Sequence, residues 1–403
     1  MSTFNKKVVT DIDVTGKKVL VRVDFNVPVK DGKVGDDTRI RAALPTIEYL
    51  VQHGAAVILC SHLGRPKGGP DPKYTLKPVG EYLAKLMGQP VAFAEDCVGP
   101  VAETAAAALK PGQVLLLENL RFEKGEKKGD PAFAATLAGY ADAYVNDAFG
   151  ASHRADASMV ALPRAMKSRG APALAGRLLE KELQFLGAAL EAPKRPFVAI
   201  VGGAKVSDKL LALSNLLDKV DMVIVGGAMA YTFLRAEGVS TGSSLVQPEM
   251  IEKARDILRA AQERGCTILL PIDHVCGRAL AAGTETCEVI GGIPDGWMGL
   301  DIGPRSRDLF AEACLTAKQV VWNGPMGAFE TAPFDVGTMT IARAVAAATR
   351  TGAITIAGGG DTASALDIAH LADALTHVST GGGASLEMLE GKRFESVDVL
   401  DPA

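Results

Sequence analysis

Four arginines and a histidine mark the ends of short apolar runs in the first half of the chain. Ala55–Ser61 runs on into His62-Leu63-Gly64-Arg65-Pro66, and Val114–Glu118 into Asn119-Leu120-Arg121-Phe122. Ala143–Asp147 opens a loop that carries His153-Arg154, and Arg39 stands with these. In Lys18–Phe25, alternation places Arg22, Asp24 and then Asn26 on one face, with Val21, Val23 and Phe25 on the other. Guanidinium groups gathered at one sheet edge repel one another unless anions sit among them. Each also matches phosphate or carboxylate bidentately. This half therefore reads as an oxyanion basin, suited to a small phosphorylated acid. Asp24 and Asn26 are placed to hydrogen-bond a hydroxyl, orient an arginine or cap the turn before Pro28. Residues 123–130 mix charge signs without an apolar face and read as a solvated loop.

The second half carries glycine-rich turns. Gly202-Gly203-Ala204-Lys205-Val206-Ser207-Asp208-Lys209 follows an apolar run and reads as the opening of a helix, with Lys205 and Lys209 on one face. A phosphate there would relieve the like charges and meet free helix N–H groups. Gly358-Gly359-Gly360-Asp361-Thr362 and Gly381-Gly382-Gly383-Ala384-Ser385 each follow a strand-like run and precede a helix-like one. Glycine lets backbone N–H groups close on a phosphate. Asp361, beside such a loop, offers Mg²⁺ a hard oxygen ligand, directly or through water. Each turn alone reads equally as a simple tight turn; three in one half favour a nucleotide. No G-x-x-x-x-G-K-[ST] occurs, so the chain has no Walker-type phosphate loop. Gly358, Gly360 and Ala363 fit a loose dinucleotide pattern, but the following strand ends in Ser379-Thr380, without an acidic residue to hold a ribose. That counts against a nicotinamide cofactor.

These residues need a scaffold that presents strand ends, and the pattern supplies one. Candidate strands in the first half are Lys18–Phe25, Ala55–Ser61, Val91–Ala94, Val114–Glu118 and Ala143–Asp147. In the second they are Phe197–Val201, Met222–Val225, Thr267–Pro271, Val320–Asn323, Ile354–Ala357 and His377–Thr380. Helical patterns such as Leu44–His53, Glu249–Arg264 and Val336–Arg350 lie between them. Such alternation predicts an α/β fold of parallel sheets with helices on both faces. Breaker clusters at Gly170-Ala171-Pro172 and Pro193-Lys194-Arg195-Pro196 bracket a helix over Leu178–Leu190, a candidate interdomain hinge. Expected bounds are 1–172 and 193–389 for two domains, 173–192 for the hinge, and a tail from about 390 to 403.

The 403 residues suit two or three domains, and 48% hydrophobic with 22% charged residues excludes wholesale disorder. Residues 1–172 carry a net charge of +4 and the remainder −8, for −4 in all. The asymmetry fits an anionic ligand on the first domain, and the overall sign argues against general nucleic-acid binding. No apolar run is long enough for a membrane span, and the polar segment 1–7 shows no secretory signal, so a cytoplasmic protein is expected. Six dispersed cysteines, with no C-x-x-C pair, predict neither a disulfide framework nor a zinc site.

Seven stretches, in order along nearly the whole chain, together resemble the phosphoglycerate kinases. They are Arg22 to Pro28, Ser61 to Pro66, Glu118 to Phe122, Gly202 to Lys209, Asn323 to Glu330, Gly358 to Thr362 and Thr380 to Ser385. The resemblance implies two doubly wound, Rossmann-like parallel-sheet domains facing a central cleft and joined by a hinge helix. It implies that the first domain binds 3-phosphoglycerate or 1,3-bisphosphoglycerate through Asp24, Phe25, Asn26, Arg39, His62, Leu63, Gly64, Arg65, Arg121 and Arg154. Mg-ADP or Mg-ATP would lie on the second, against Lys205, Asn323, Pro325, Glu330, Gly359, Gly360, Asp361 and Thr362, with Lys209 beside them and Asp361 holding Mg²⁺. Glu330 would meet the ribose. Arg39, Lys205, Lys209 and the N–H groups around Gly382 and Gly383 would serve the moving phosphoryl group. The tail would cross back to the first domain, and a monomer with no membrane or nucleic-acid partner is implied. Asp156 departs from the family pattern, where many relatives carry histidine or glutamate.

The implied reaction passes a phosphoryl group reversibly between an acyl phosphate and ADP. Its acceptor in the reverse direction is a carboxylate already ionised at neutral pH, so no general base is needed and catalysis reduces to positioning and charge stabilisation. Rival readings are a kinase for another carboxylate, a dehydrogenase, and a catalytically silent metabolite-binding protein of the same fold.

Overall fold

The computed structural model describes residues 5–403, so residues 1–4 of the polar N-terminal segment lie outside the described residues. The chain forms two compact units. One comprises residues 1–184 with 393–403, and the other residues 185–392.

The first unit is built on β1 (Lys18–Val23), β4 (Ala56–Cys60), β5 (Val91–Ala94), β6 (Val114–Leu117), β7 (Ala143–Asp147) and β8 (Ala173–Ala175), with a short hairpin of β2 (Val29–Lys30) and β3 (Lys33–Val34). The six long-range strands are parallel, in the order β5-β6-β4-β1-β7-β8. Helices cover both faces, which is why the central strands read as continuous apolar runs. Every residue of β4 and β7 is buried. Val21, Val23, Phe25, Ile40, Ile47, Leu59, Leu116 and Leu174 belong to one core cluster.

One helix departs from expectation in a way that matters for the site. Pro45 suits a helix start, yet the helix runs over Thr38–Gln52 with Pro45 inside it. Ile40, Ala43, Ile47 and Leu50 form one buried stripe across the proline, and their burial outweighs the missing N–H at about 3 kcal/mol. Arg39 therefore sits on a helical first turn.

The C-terminal residues 393–403 pack on this first unit. Lys7 donates its backbone N–H to the Asp401 carbonyl at 2.9 Å, and Asp401 donates to Ala173 at 2.8 Å. Phe394 meets Phe149 with ring centres 6.1 Å apart.

The second unit has β9 (Phe197–Val201), β10 (Met222–Val225), β11 (Thr267–Leu269), β15 (Gln319–Asn323), β16 (Ile354–Gly358) and β17 (His377–Val378), all parallel in the order β11-β10-β9-β15-β16-β17. This is the doubly wound order in which the connection reverses direction between β9 and β15, opening a crevice at their carboxyl ends. A separate antiparallel sheet of β12 (Asp273–Gly277), β13 (Thr286–Ile290) and β14 (Met298–Ile302) adds to it. It has no counterpart among the expected strands: its five-residue strands mix apolar with polar residues, and loops rather than helices join them. The helix Arg177–Glu191 carries the chain from one unit to the other, and the division falls between Gln184 and Phe185.

Candidate functional site

At the carboxyl ends of β1, β4, β6 and β7 the first unit gathers its basic side chains. Asp24, Phe25 and Asn26 follow β1. Asn26 Oδ1 accepts the Gly64 N–H at 2.9 Å, tying the loop after β1 to the loop after β4. Arg39 reaches the same corner: its Nη1 donates to the Asn26 carbonyl at 3.0 Å and lies 3.3 Å from Asp24 Oδ2. Arg121 donates through Nη1 to the Gly64 carbonyl at 2.6 Å. Asn119 grips the backbone of Leu63 from both sides, accepting its N–H at 3.1 Å and donating to its carbonyl at 2.8 Å. Arg154 Nη1 is 3.2 Å from His62 Nε2, while Arg65 is exposed beside Gly64.

The electrostatics follow from this crowding. His62 is only 1% exposed; burial first, then Arg22, Arg121, Arg154 and Arg39, hold its pKa well below the ordinary value, so the ring is neutral. Burial, with Arg154 next, also lowers the pKa of Arg121. An anion placed here would meet fixed donors and relieve mutual repulsion.

Two residues of this region were given no site role by the sequence reading. Arg22 is fully buried and contacts His62 Nδ1 at 3.0 Å. Residues 123–130 are not a solvated loop: Lys124–Lys128 form a helical turn, and Glu126 is fully buried. Glu126 accepts from the Ser158 hydroxyl at 2.6 Å and from its N–H at 3.0 Å. A lone arginine in an otherwise apolar strand was the available signal for Arg22. Glu126 gave none, since its partner lies 32 residues away in the chain.

In the second unit a cavity of about 410 Å³ opens at the β9–β15 switch. Its lining includes Gly202, Gly203, Lys205, Asp208, Lys209, Asn323, Gly324, Gly359, Gly360, Asp361, Thr362, Gly382, Gly383 and Leu386. Lys205 and Lys209 both line it, though not on a shared helical face. The helix begins only at Leu210; Lys205 lies in the preceding bend and Lys209 is its N-cap. Upstream, the Gly202 N–H bonds the Asn323 carbonyl at 2.9 Å, and a Cβ on Gly202 would collide with the Pro325 carbonyl.

Lys209 Nζ donates to Asn323 Oδ1, and burial lowers the lysine's pKa while Asp361 opposes that shift. Asn323 Nδ2 is buried without a hydrogen-bond partner on the cavity wall. Thr362 is buried, and its hydroxyl accepts the Gly324 N–H at 2.7 Å. Gly359 takes φ +95° at the start of the helix Gly360–Ile368, a conformation L side chains rarely adopt. Gly382 stands likewise before Gly383–Leu389. Pro325 and Glu330 are not among the lining residues; Glu330 is exposed on the loop after β15. Asp361 lies exposed in the first turn of Gly360–Ile368 and faces the cavity with a free hard-oxygen carboxylate, a donor type that fits Mg²⁺ sharing its shell with water and phosphate oxygens.

Comparison with known proteins gives a consistent result. The family profile described as Phosphoglycerate kinase matches residues 9–392. The phosphoglycerate kinase of Chloroflexus aurantiacus is 53% identical over 404 residues, covering 99% of this chain and 100% of the relative. That of Clostridium botulinum is 50% identical over 400 residues, with 99% of each covered. Among solved structures, phosphoglycerate kinase from Coxiella burnetii superposes with a TM-score of 0.88 at 39% identity, and that from Pyrococcus horikoshii with 0.82 at 31%; each comparison covers 98% of both chains. With a family profile spanning most of its length and relatives at half identity over all of it, this chain belongs to the phosphoglycerate kinase family.

Proposed function

We propose that the arginine basin of the first unit binds the phosphoglycerate and that the glycine-lined cavity of the second binds the nucleotide. The protein catalyses reversible phosphoryl transfer between 1,3-bisphosphoglycerate with ADP and 3-phosphoglycerate with ATP, a step of glycolysis and gluconeogenesis. The observation that carries the assignment is the convergence of Arg39, Arg121, Arg154 and neutral His62 beside the carboxyl ends of the first unit's strands.

In the direction of ATP use, a carboxylate oxygen of 3-phosphoglycerate forms the new O–P bond to the γ-phosphorus. The bond from that phosphorus to the bridging oxygen breaks, and its electron pair leaves with ADP. No proton moves, so the chain needs no general base. Arg39, steadied by Asp24 and the Asn26 carbonyl, and Lys205 with Lys209 supply positive charge to the phosphoryl oxygens. Backbone N–H groups at Gly382 and Gly383 supply further donors at a short helix start. Lys209 is oriented by Asn323, and Asp361 would hold Mg²⁺, which when bound neutralises charge on the nucleotide's phosphate oxygens. Pro325 and Glu330 serve the nucleoside end, beyond the phosphate-lined cavity.

With acid and nucleotide on different units, reaction requires that both ligands bring the units together, excluding water and suppressing ATP hydrolysis. The family resemblance implies a monomer. Among the described residues no helix is long and apolar enough to cross a membrane.

Trapping acyl phosphate with hydroxylamine tests the reading. Mg-ATP with 3-phosphoglycerate gives hydroxamate, whereas acetate, glycerate and a no-acid control give none. Equal signal with another acid would overturn the substrate; no signal from folded, ATP-binding protein would overturn the activity.

A further inference from the structure

His62 lies between two guanidinium groups. Arg22 Nη2 is 3.0 Å from its Nδ1, and Arg154 Nη1 is 3.2 Å from its Nε2. Guanidinium only donates, and a neutral imidazole accepts at one nitrogen only. One of the two contacts is therefore donor against donor, and the surroundings decide which.

Arg22 has no freedom to turn away. It is fully buried on β1, opposite Cys60 of β4 in the strand register. Its Nε donates to Ser158 Oγ at 2.9 Å and its Nη1 to the Val23 carbonyl. The Ser158 hydroxyl, having accepted from Arg22, donates to Glu126 Oε1 at 2.6 Å, and the Ser158 N–H donates to Glu126 Oε2 at 3.0 Å. Tyr144 pins the same residue by donating to the Ser158 carbonyl at 2.8 Å. Glu126, Ser158 and Arg22 are each 0% exposed, so the Arg22 guanidinium and the Glu126 carboxyl, whose pKa burial raises against the opposing charge of Arg22, are joined through one hydroxyl. Asp24 Oδ1 is 3.9 Å from His62 Nδ1, too far to compete as an acceptor for a proton there. Arg154, by contrast, is half-buried on a loop, and its other side-chain contact is a long one, from Nε to His153 Nε2 at 3.4 Å.

Nδ1 must then carry the lone pair, and Nε2 the proton. We propose that Glu126, Ser158 and Arg22 form a buried positioning relay that holds His62 as its neutral Nε2–H tautomer, so that this N–H and Arg154 together receive one oxygen of a bound substrate anion. The inference rests on the reading of the basin as the phosphoglycerate site. An anionic oxygen between Nε2–H and Arg154 turns their opposition into two charge-assisted hydrogen bonds, one of them from a cationic donor. Stability alone gives no reason for the relay, because replacing a buried ion pair with well-packed apolar residues is often neutral or stabilising.

Nitrogen-15 NMR of histidine-labelled protein reads the tautomer directly, with His62 assigned by its loss in His62→Gln. The wild type is expected to show protonated Nε2 and unprotonated Nδ1 throughout pH 6–8, without titration. Ser158→Ala and Glu126→Gln should each give mixed tautomers. They should also raise KM for 3-phosphoglycerate about tenfold, the loss of one oriented hydrogen bond, with kcat and KM for Mg-ATP within about twofold. An Nδ1–H wild type overturns the proposal without any variant having to fold. Persistence of the Nε2–H form in both variants overturns it whatever KM does, and a mixed tautomer with unchanged KM overturns it as well. Failure of the underlying reading looks different: 3-phosphoglycerate would leave the wild-type His62 signals unmoved while the tautomer stayed as stated.

Discussion

Asp156 Oδ2 stands 3.9 Å from Arg121 Nη2, with both side chains at most a tenth exposed and no hydrogen-bond partner for that oxygen. The carboxylate thus sits inside the arginine basin and cancels part of the field an incoming anion meets. Asp156→Asn keeps the shape and removes the charge. It is expected to tighten binding of 3-phosphoglycerate about threefold to tenfold at low ionic strength, with the gain shrinking as salt rises. Calorimetric titration in two salt concentrations checks this. Weaker binding by the variant would show instead that Asp156 serves to orient Arg121.

Arg39 is the basin's one cation tethered to both Asp24 and the Asn26 carbonyl. Arg39→Ala is expected to lower kcat by about 10² or more, as for loss of a donor used in the transition state, with KM for Mg-ATP nearly unchanged. Steady-state kinetics in both substrates decide it. A kcat within a few-fold of wild type removes Arg39 from phosphoryl transfer.

Gly202→Ala would drive a Cβ into the Pro325 carbonyl, at the junction where β9 and β15 diverge. The Asn323–Gly324 turn must shift, and with it the oxygen that steadies Lys209. KM for Mg-ATP should rise about tenfold or more while that for 3-phosphoglycerate stays put, since the change is confined to the second unit. An equal loss in both substrates would point to general unfolding.

Asp147 is wholly buried, and its Oδ1 accepts N–H bonds from Leu178 at 2.9 Å and Leu179 at 3.2 Å. Burial raises its pKa to about 7, against the opposing hydrogen bonds. The folded state therefore holds this proton more tightly than the unfolded state does. The stabilisation is full below the ordinary carboxylate pKa and is lost as pH rises through about 7. Asp147→Asn keeps an acceptor for both N–H groups and does not ionise. Thermal melts from pH 5 to 8 should show wild-type Tm falling relative to the variant by a few degrees; parallel curves would place the titration elsewhere.

Small-angle scattering checks the closure that follows from the proposed placement of the two ligands on separate units. The radius of gyration should fall only when 3-phosphoglycerate and a non-hydrolysable Mg-ATP analogue are both present. The same radius in the doubly liganded protein would count against closure.

The sequence by itself determined the class of fold and most of the chemistry. Strands such as Phe197–Val201 and Ala56–Cys60 are legible because a strand buried on both faces reads as a near-continuous apolar run. The arginines and glycine turns are legible because polar side chains and glycines interrupt those runs where strands end. Tertiary structure decided what depends on partners distant in the chain. Pro45 lies inside a helix because burial of Ile40 and Ile47 outweighs its local cost. Lys209 stands at the N-cap of a helix that starts only at Leu210, not on the helical face its spacing from Lys205 suggested. Glu126 is indistinguishable in sequence from its solvated neighbours, yet folding buries it against Ser158 and, through that hydroxyl, Arg22. A charge buried by residues far along the chain leaves no periodic trace, since its neighbours in sequence are not the groups that compensate it.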